Sequence, residues 1–178
     1  MMLRTTKYKF LLQQYKNRIY SYSKLLLKNK MDADDVTQEV LIRIWQNMDE
    51  FNVLKAKTWI MKTTHNLCMD YLRKRTRSYK NESSMDEEFI ENFPDSDTKG
   101  NPFISMHLNS VNDRINEALR RLPENLQSVF LLYELQGMKY KEISQCLEIP
   151  INSVKVYLLR ARKKLQEDLR EYVKSETI

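Results

Sequence analysis

The sequence predicts an all-α protein, and two features support this prediction. Only two glycines and four prolines occur among 178 residues, so the turn residues that β-hairpins require are nearly absent. Apolar residues also recur every three or four positions over much of the chain, which is the spacing of an amphipathic helix. We expect two small helical domains joined by a flexible acidic linker, with a helix-turn-helix in the C-terminal domain.

Charge is segregated along the chain in nearly the same three parts. Residues 1–80 carry 17 Lys and Arg against 7 Asp and Glu, a net charge of +10. Residues 81–112 carry one Lys against 7 acids, a net charge of −6. A basic N-terminal segment is typical of proteins that bind a polyanion, although it also keeps a protein in solution. The predicted N-terminal domain, acidic linker and C-terminal domain span residues 1–78, 79–112 and 113–178.

The cysteines and the apolar runs limit the cellular setting. Cys68 and Cys146 fall in separate predicted helices and form no CxxC pair, so we expect two reduced, buried thiols. No run approaches 18 apolar residues, and the charged N-terminus lacks the apolar core of a signal peptide. We expect a soluble, cytoplasmic protein without membrane insertion.

Three helices are predicted in the N-terminal domain, at about 7–28, 32–48 and 58–75. Asp32 is the expected N-cap of the second helix, and Asp34 and Asp35 follow in its first turn, where carboxylates suit the helix dipole. In the C-terminal domain, helix formation is predicted to resume at about Val111.

The second predicted helix, α2, carries a mixed polar surface away from its apolar stripe of Val36, Val40 and Ile44. The members of this α2 surface are Asp35, Gln38, Glu39, Ile42 and Arg43. Four polar side chains around one apolar side chain suit a protein partner with a basic or polar groove. Two alternatives remain for the acids of this helix, which are Asp32, Asp34, Asp35 and Glu39. They serve only the helix dipole and solubility, or all four bind a divalent metal in a nuclease. We expect no metal or cofactor, because neither His65 nor His107 has a partner at metal-ligand spacing.

The third predicted helix suits opened DNA, because aromatic rings stack on bases, amides bond exposed bases and cations hold phosphates. Its candidate DNA-binding residues are Trp59, Lys62, Asn66, Arg73, Lys74, Arg75 and Arg77. For Trp59 the sequence alone favours core packing, since a Trp at a helix start is more often buried. Cations at a helix C-terminus also have a dipole explanation.

Two predicted helices joined by a short turn at residues 147–150 have the spacing of a helix-turn-helix. The second helix of this motif enters the DNA major groove. This second helix is predicted to start near Asn152 or Ser153, either of which would cap it. Its predicted apolar stripe consists of Val154, Leu158, Ala161 and Leu165. Its candidate DNA-binding residues, which lie away from this stripe, are Asn152, Ser153, Lys155, Val156, Leu159, Arg160 and Lys163. The alternative is an ordinary basic surface helix with one packed face.

Two separate motif sets resemble the bacterial sigma-70 family, especially its extracytoplasmic-function group. Residues 32–47 resemble the region 2 signature, and a Trp…Asn…Asp-x-x-Arg motif of the same region is matched by Trp59, Asn66, Asp70 and Arg73. The region 4 pattern is matched by Leu122-Pro123, Tyr140, Glu142-Ile143, Val154-Lys155 and Arg160-Ala161-Arg162. The chain departs from the family at Asn152–Ser153, where Gly-Thr is common, and at Val156–Tyr157, where small or basic residues are usual.

The resemblance implies a sigma factor and not an enzyme, because RNA polymerase performs the chemistry. It implies that the α2 surface docks on core RNA polymerase, that the third helix recognises the −10 promoter element and that the last helix recognises the −35 element. It also implies that the linker lies in a basic channel of the polymerase. The implied partners are core RNA polymerase, promoter DNA and an anti-sigma factor. A stand-alone helix-turn-helix regulator that binds duplex DNA without polymerase is the alternative.

Overall fold

The computed structural model describes residues 2–50, 52, 55–81 and 102–176. Within these ranges the chain is helical apart from short turns and contains no strand, which confirms the predicted all-α class. The helices are α1 (Met2–Leu27), α2 (Lys30–Gln46), α3 (Ala56–Asn81), α4 (Pro102–Arg121), α5 (Glu124–Phe130, continued by a π-helical stretch at Leu131–Leu135), α6 (Tyr140–Leu147) and α7 (Ile151–Glu176).

Helix α2 begins earlier than predicted, because Asn29 and not Asp32 is its N-cap. The Asn29 backbone is extended, and its side-chain oxygen accepts the Asp32 amide at 3.0 Å. Asp32 therefore lies inside the first turn of the helix, where its carboxylate pairs with Arg75 of α3.

The helices α3 and α4 both extend into the predicted linker. Helix α3 continues to Asn81, and α4 begins at Pro102 and not near Val111, so residues 79–81 and 102–112 are helical. Proline suits the first turn of a helix, where its missing N–H would have no acceptor, and no Gly or Pro follows before Arg121. The rest of the predicted linker, residues 82–101 with their seven acids, lies outside the described residues.

Helix α7 also begins earlier than predicted, at Ile151, so neither Asn152 nor Ser153 is its N-cap. The Pro150 carbonyl accepts the Val154 amide at 3.1 Å and starts the helical hydrogen-bond pattern. The preceding helix α6 ends at Leu147, and its C-cap, Glu148, has a left-handed backbone with φ of 56°. This conformation closes α6 and turns the chain within three residues, as a helix-turn-helix requires.

The buried faces follow the predicted periodicity in both domains. The N-terminal bundle of α1, α2 and α3 buries Ile19, Val40 and Ile60 completely. In the C-terminal bundle the buried stripe of α7 is the predicted one, and it consists of Val154, Leu158, Ala161 and Leu165. Both cysteines are free and buried, as expected.

The two bundles pack against each other through α1 and α3 on one side and α4, α5 and α6 on the other. Two buried glutamines cross the interface: Gln127 Nε2 donates to the Leu25 carbonyl at 3.1 Å, and Gln136 Nε2 donates to the Arg18 carbonyl at 3.3 Å. A single apolar core runs through both bundles. The described conformation is therefore closed, an arrangement about which periodicity carries no information.

The buried Tyr22 of α1 and the half-buried His65 of α3 form a polar pair near this interface. Tyr22 is fully buried, and its hydroxyl oxygen lies 3.0 Å from His65 Nδ1. Burial, reinforced by the Arg73 guanidinium, lowers the pKa of His65 to about 4. The imidazole is therefore neutral at pH 7.

We expect the folded state to lose stability as the pH falls from about 6.5 to about 4. The unfolded chain binds a proton at His65 over this range while the folded chain does not, so the His65 contribution is complete above pH 6.5. Relative to pH 7, the stability lost through His65 at pH 4 amounts to about 2 to 3 kcal/mol. Urea unfolding at pH 7, 5.5 and 4.5 should show a steeper decline for wild type than for His65→Gln. Parallel curves would contradict the shifted pKa.

Candidate functional site

The α2 surface is formed as predicted, with all five side chains on one exposed side of the helix. Asp35, Gln38 and Ile42 are exposed, whereas Glu39 and Arg43 are half-buried. Arg43 Nε donates to Glu39 Oε1 at 2.8 Å, one helical turn apart. This ion pair orders one edge of the surface, so two polar side chains and the apolar Ile42 remain directly accessible to a partner.

Trp45 enlarges this surface, and sequence reasoning missed it. Its side chain is 40 % exposed and lies one turn after Ile42. The Arg4 guanidinium lies over the indole at 4.9 Å from the ring centroid, and the Tyr8 ring meets it edge-on. Trp and Arg are frequent among the residues that dominate binding energy. The spacing of Gln38, Ile42 and Trp45, four and then three residues apart, places them on one side of a helix and could have predicted this from the sequence.

The face of α3 that was predicted to bind DNA is only partly accessible. Trp59 is 36 % exposed, so the prediction of core packing for this side chain is wrong. Asn66 is exposed on the same helix. Lys62, however, donates from Nζ to Glu148 Oε1 at 2.6 Å, and this hydrogen bond lowers the pKa of the glutamate. The closed packing thus engages one predicted DNA-binding cation with the helix-turn-helix bundle.

The cations at the end of α3 divide into two groups. Arg73, Lys74 and Arg77 are exposed, with Arg73 paired to Asp70 at 3.2 Å. Arg75 is half-buried: its guanidinium donates to the Leu27 carbonyl at 3.0 Å and pairs with Asp32. Arg75 therefore joins α3 to α1 and α2, a structural role that differs from the DNA contact predicted for it.

We expect Arg75→Ala to lower the free energy of unfolding by about 1 to 2 kcal/mol, because a partly buried carbonyl and carboxylate lose their charged donor. The exposed Arg77 provides the matched control, since Arg77→Ala removes the same charge from the same helix without these contacts. Chemical denaturation measures both. Equal values for the two variants would contradict the structural role.

The helix α7 presents nearly all its predicted DNA-binding residues to solvent. Of the seven, Ser153 alone is half-buried, and the others are exposed. The nearby Arg162 differs, because its guanidinium pairs with Glu134 at 2.6 Å and lies 5.3 Å from the Tyr133 ring centroid. Arg162 thereby holds α7 to the π-helical end of α5.

In the described ranges, no group of three or more His, Cys, Asp or Glu side chains is placed to hold a metal ion. None of the helices, so far as their residues are described, combines the length and apolar character needed to cross a membrane.

Two family models match the chain in the order of its two bundles. The model of Sigma-70 region 2 matches residues 11–78, and the model of Sigma-70, region 4 matches residues 112–165. The first match contains the α2 surface and most of α3. The second contains the helix-turn-helix and all the candidate residues of α7.

Curated relatives resemble the chain over most of its length. The ECF RNA polymerase sigma factor SigW of Bacillus subtilis is 27 % identical over 173 residues, covering 88 % of this chain and 86 % of that protein. The ECF RNA polymerase sigma factor SigE of Mycolicibacterium smegmatis is 28 % identical over 167 residues, covering 94 % of this chain and 63 % of that protein.

Two solved structures share the fold. The sigma factor RpoE in complex with the anti-sigma factor NepR from Bartonella quintana superposes with a TM-score of 0.73 at 21 % identity, covering 91 % of this chain and 96 % of that one. The structure of CnrH in complex with the cytosolic domain of CnrY gives a TM-score of 0.63 at 18 % identity, covering 96 % of both chains.

Proposed function

Because the chain belongs to the bacterial sigma-70 family, in its extracytoplasmic-function group, we propose that it binds core RNA polymerase and directs it to promoters. The observation that carries this proposal is the match of both sigma-70 regions, in order, on one all-α chain. The protein is a transcription initiation factor, and the polymerase performs the chemistry. Its proposed place of action is the cytoplasm, with the polymerase.

Each exposed surface has one proposed partner. The α2 surface, extended by Trp45, docks on core RNA polymerase. Trp59, Asn66 and the exposed cations of α3 contact the −10 element, where an aromatic ring and an amide suit unstacked bases. The outer face of α7 contacts the −35 element in the major groove. A stand-alone regulator would use α7 only and would leave the α2 surface without a role.

The proposed function requires the closed conformation to open. Two promoter elements one and a half turns of DNA apart are separated by roughly 55 Å, whereas α3 and α6 are in contact in the closed state. Lys62 must also leave Glu148 before it meets a phosphate. Residues 82–101 reach at most about 66 Å when extended, so the connection is long enough for this separation.

An anti-sigma factor is a third proposed partner. The two solved structures above are described as complexes, one of them explicitly with an anti-sigma factor. A protein that holds the two bundles together would keep Lys62 on Glu148 and prevent promoter contact. The proposed inhibitor therefore stabilises a closed arrangement that this chain already forms by itself.

The test is a titration of fluorescently labelled protein with purified core RNA polymerase. We expect tight binding by wild type and binding about 10- to 100-fold weaker by Asp35→Ala/Gln38→Ala, because interface centres dominate affinity. The control is Gln14→Ala/Glu50→Ala, which removes another exposed amide and carboxylate outside the α2 surface. Firm binding to duplex DNA without any polymerase binding would instead support the stand-alone regulator.

A further inference from the structure

The outer face of α7 has an apolar centre, which distinguishes it from an ordinary basic surface. Val156 and Leu159 are 42 % and 70 % exposed, and they are neighbours at a spacing of three residues. At 100° per residue they lie within an arc of about 60° that also contains Asn152 and Lys163, opposite the buried stripe. The packing of α7 therefore leaves two apolar side chains at the point farthest from the protein core.

Cations border this apolar centre on both sides. Lys155 and Arg160 are exposed and lie about 70° to either side of the Val156–Leu159 pair. Among the described residues neither has a carboxylate within ion-pair distance. Two phosphate strands border the major groove in the same way, so a helix lying in the groove would direct these cations to phosphates and its apolar centre to the bases.

Base edges in the major groove offer one methyl group, the C5-methyl of thymine, among hydrogen-bonding groups. Resting on the proposed function, we propose that Val156 and Leu159 contact thymine methyl groups in the −35 element and determine specificity there. The element that this chain recognises then contains thymine, on either strand, opposite the middle of α7. Polar side chains at these positions would favour other bases.

The probe is a DNA duplex pool randomised over the −35 region and selected with the full-length chain bound to core RNA polymerase. Each thymine of the selected element is then replaced by deoxyuridine, which removes only the methyl group. We expect one or two such positions to weaken wild-type binding about fourfold each, the effect of one buried methyl group.

The variant Leu159→Ala should bind the thymine duplex more weakly and should no longer distinguish thymine from deoxyuridine at its position. Leu159 is exposed, so this variant is expected to fold. The control Arg160→Ala should weaken binding to both duplexes equally, since phosphate contacts carry no base information. A loss of discrimination confined to Leu159→Ala or Val156→Ala supports the proposal.

Two results would overturn the inference while leaving the proposed function intact. They are a selected element without thymine opposite α7, and polymerase-dependent binding that is equal for thymine and deoxyuridine. If instead the pool yields no element that requires both polymerase and this chain, the proposed function fails together with the inference.

Discussion

Cys146 is expected to react with thiol reagents at least 100-fold faster when the protein is bound to core RNA polymerase and promoter DNA than when it is free. In the closed state this thiol is buried on α6 near Lys62 and Tyr22, and burial raises its pKa to about 12. Opening the bundles exposes the sulfur and returns its pKa toward the usual value, so both access and thiolate fraction rise.

Cys68 serves as the internal control for this measurement. Its thiol lies inside the N-terminal bundle, 3.5 Å from the Ser23 hydroxyl, and burial raises its pKa to about 12 as well. Labelling of Cys68→Ser reports Cys146, and labelling of Cys146→Ser reports Cys68. Fast labelling of Cys146 alone indicates domain separation, and fast labelling of both indicates unfolding. If the labelling rate of Cys146 is unchanged by polymerase and promoter, that result would contradict the proposed opening of the bundles to reach two promoter elements.

Replacement of Tyr22 by alanine should lower the free energy of unfolding of the free protein by about 3 to 5 kcal/mol. The fully buried ring fills space between α1, α3 and the C-terminal bundle, and its removal leaves a cavity beside His65. Tyr22→Phe keeps the ring and removes only the hydroxyl, so its cost should be about 1 kcal/mol.

Urea denaturation of the free protein at pH 7 measures both Tyr22 variants. The difference between them separates ring packing from the hydrogen bond to His65. A cost below about 1 kcal/mol for Tyr22→Ala would mean that the ring is not buried in solution, since large core truncations cost several times more. That result would contradict the closed packing described above.

Much of the fold was predictable because helical burial has a strong periodic signal. The apolar stripes of α2 and α7 and both buried thiols agree with the structure. Helix ends were less predictable, since a cap depends on local backbone geometry that several neighbouring residues would satisfy. For α2 and α7 the sequence predicted a later polar residue as the N-cap, whereas the helices begin directly after Asn29 and Pro150.

By itself the sequence determined the all-α class, the faces that are buried and the motif sets that place the chain in its family. The tertiary structure decided which of the charged side chains are accessible to a partner and which are held in contacts within the protein. Arg75 and Arg77 are two residues apart and chemically identical, yet Arg75 is held by Asp32 from 43 positions away. Lys62 is likewise held by Glu148 from 86 positions away. Periodicity describes only neighbours along one helix, so contacts between distant segments, and the closed state that they create, follow from packing alone.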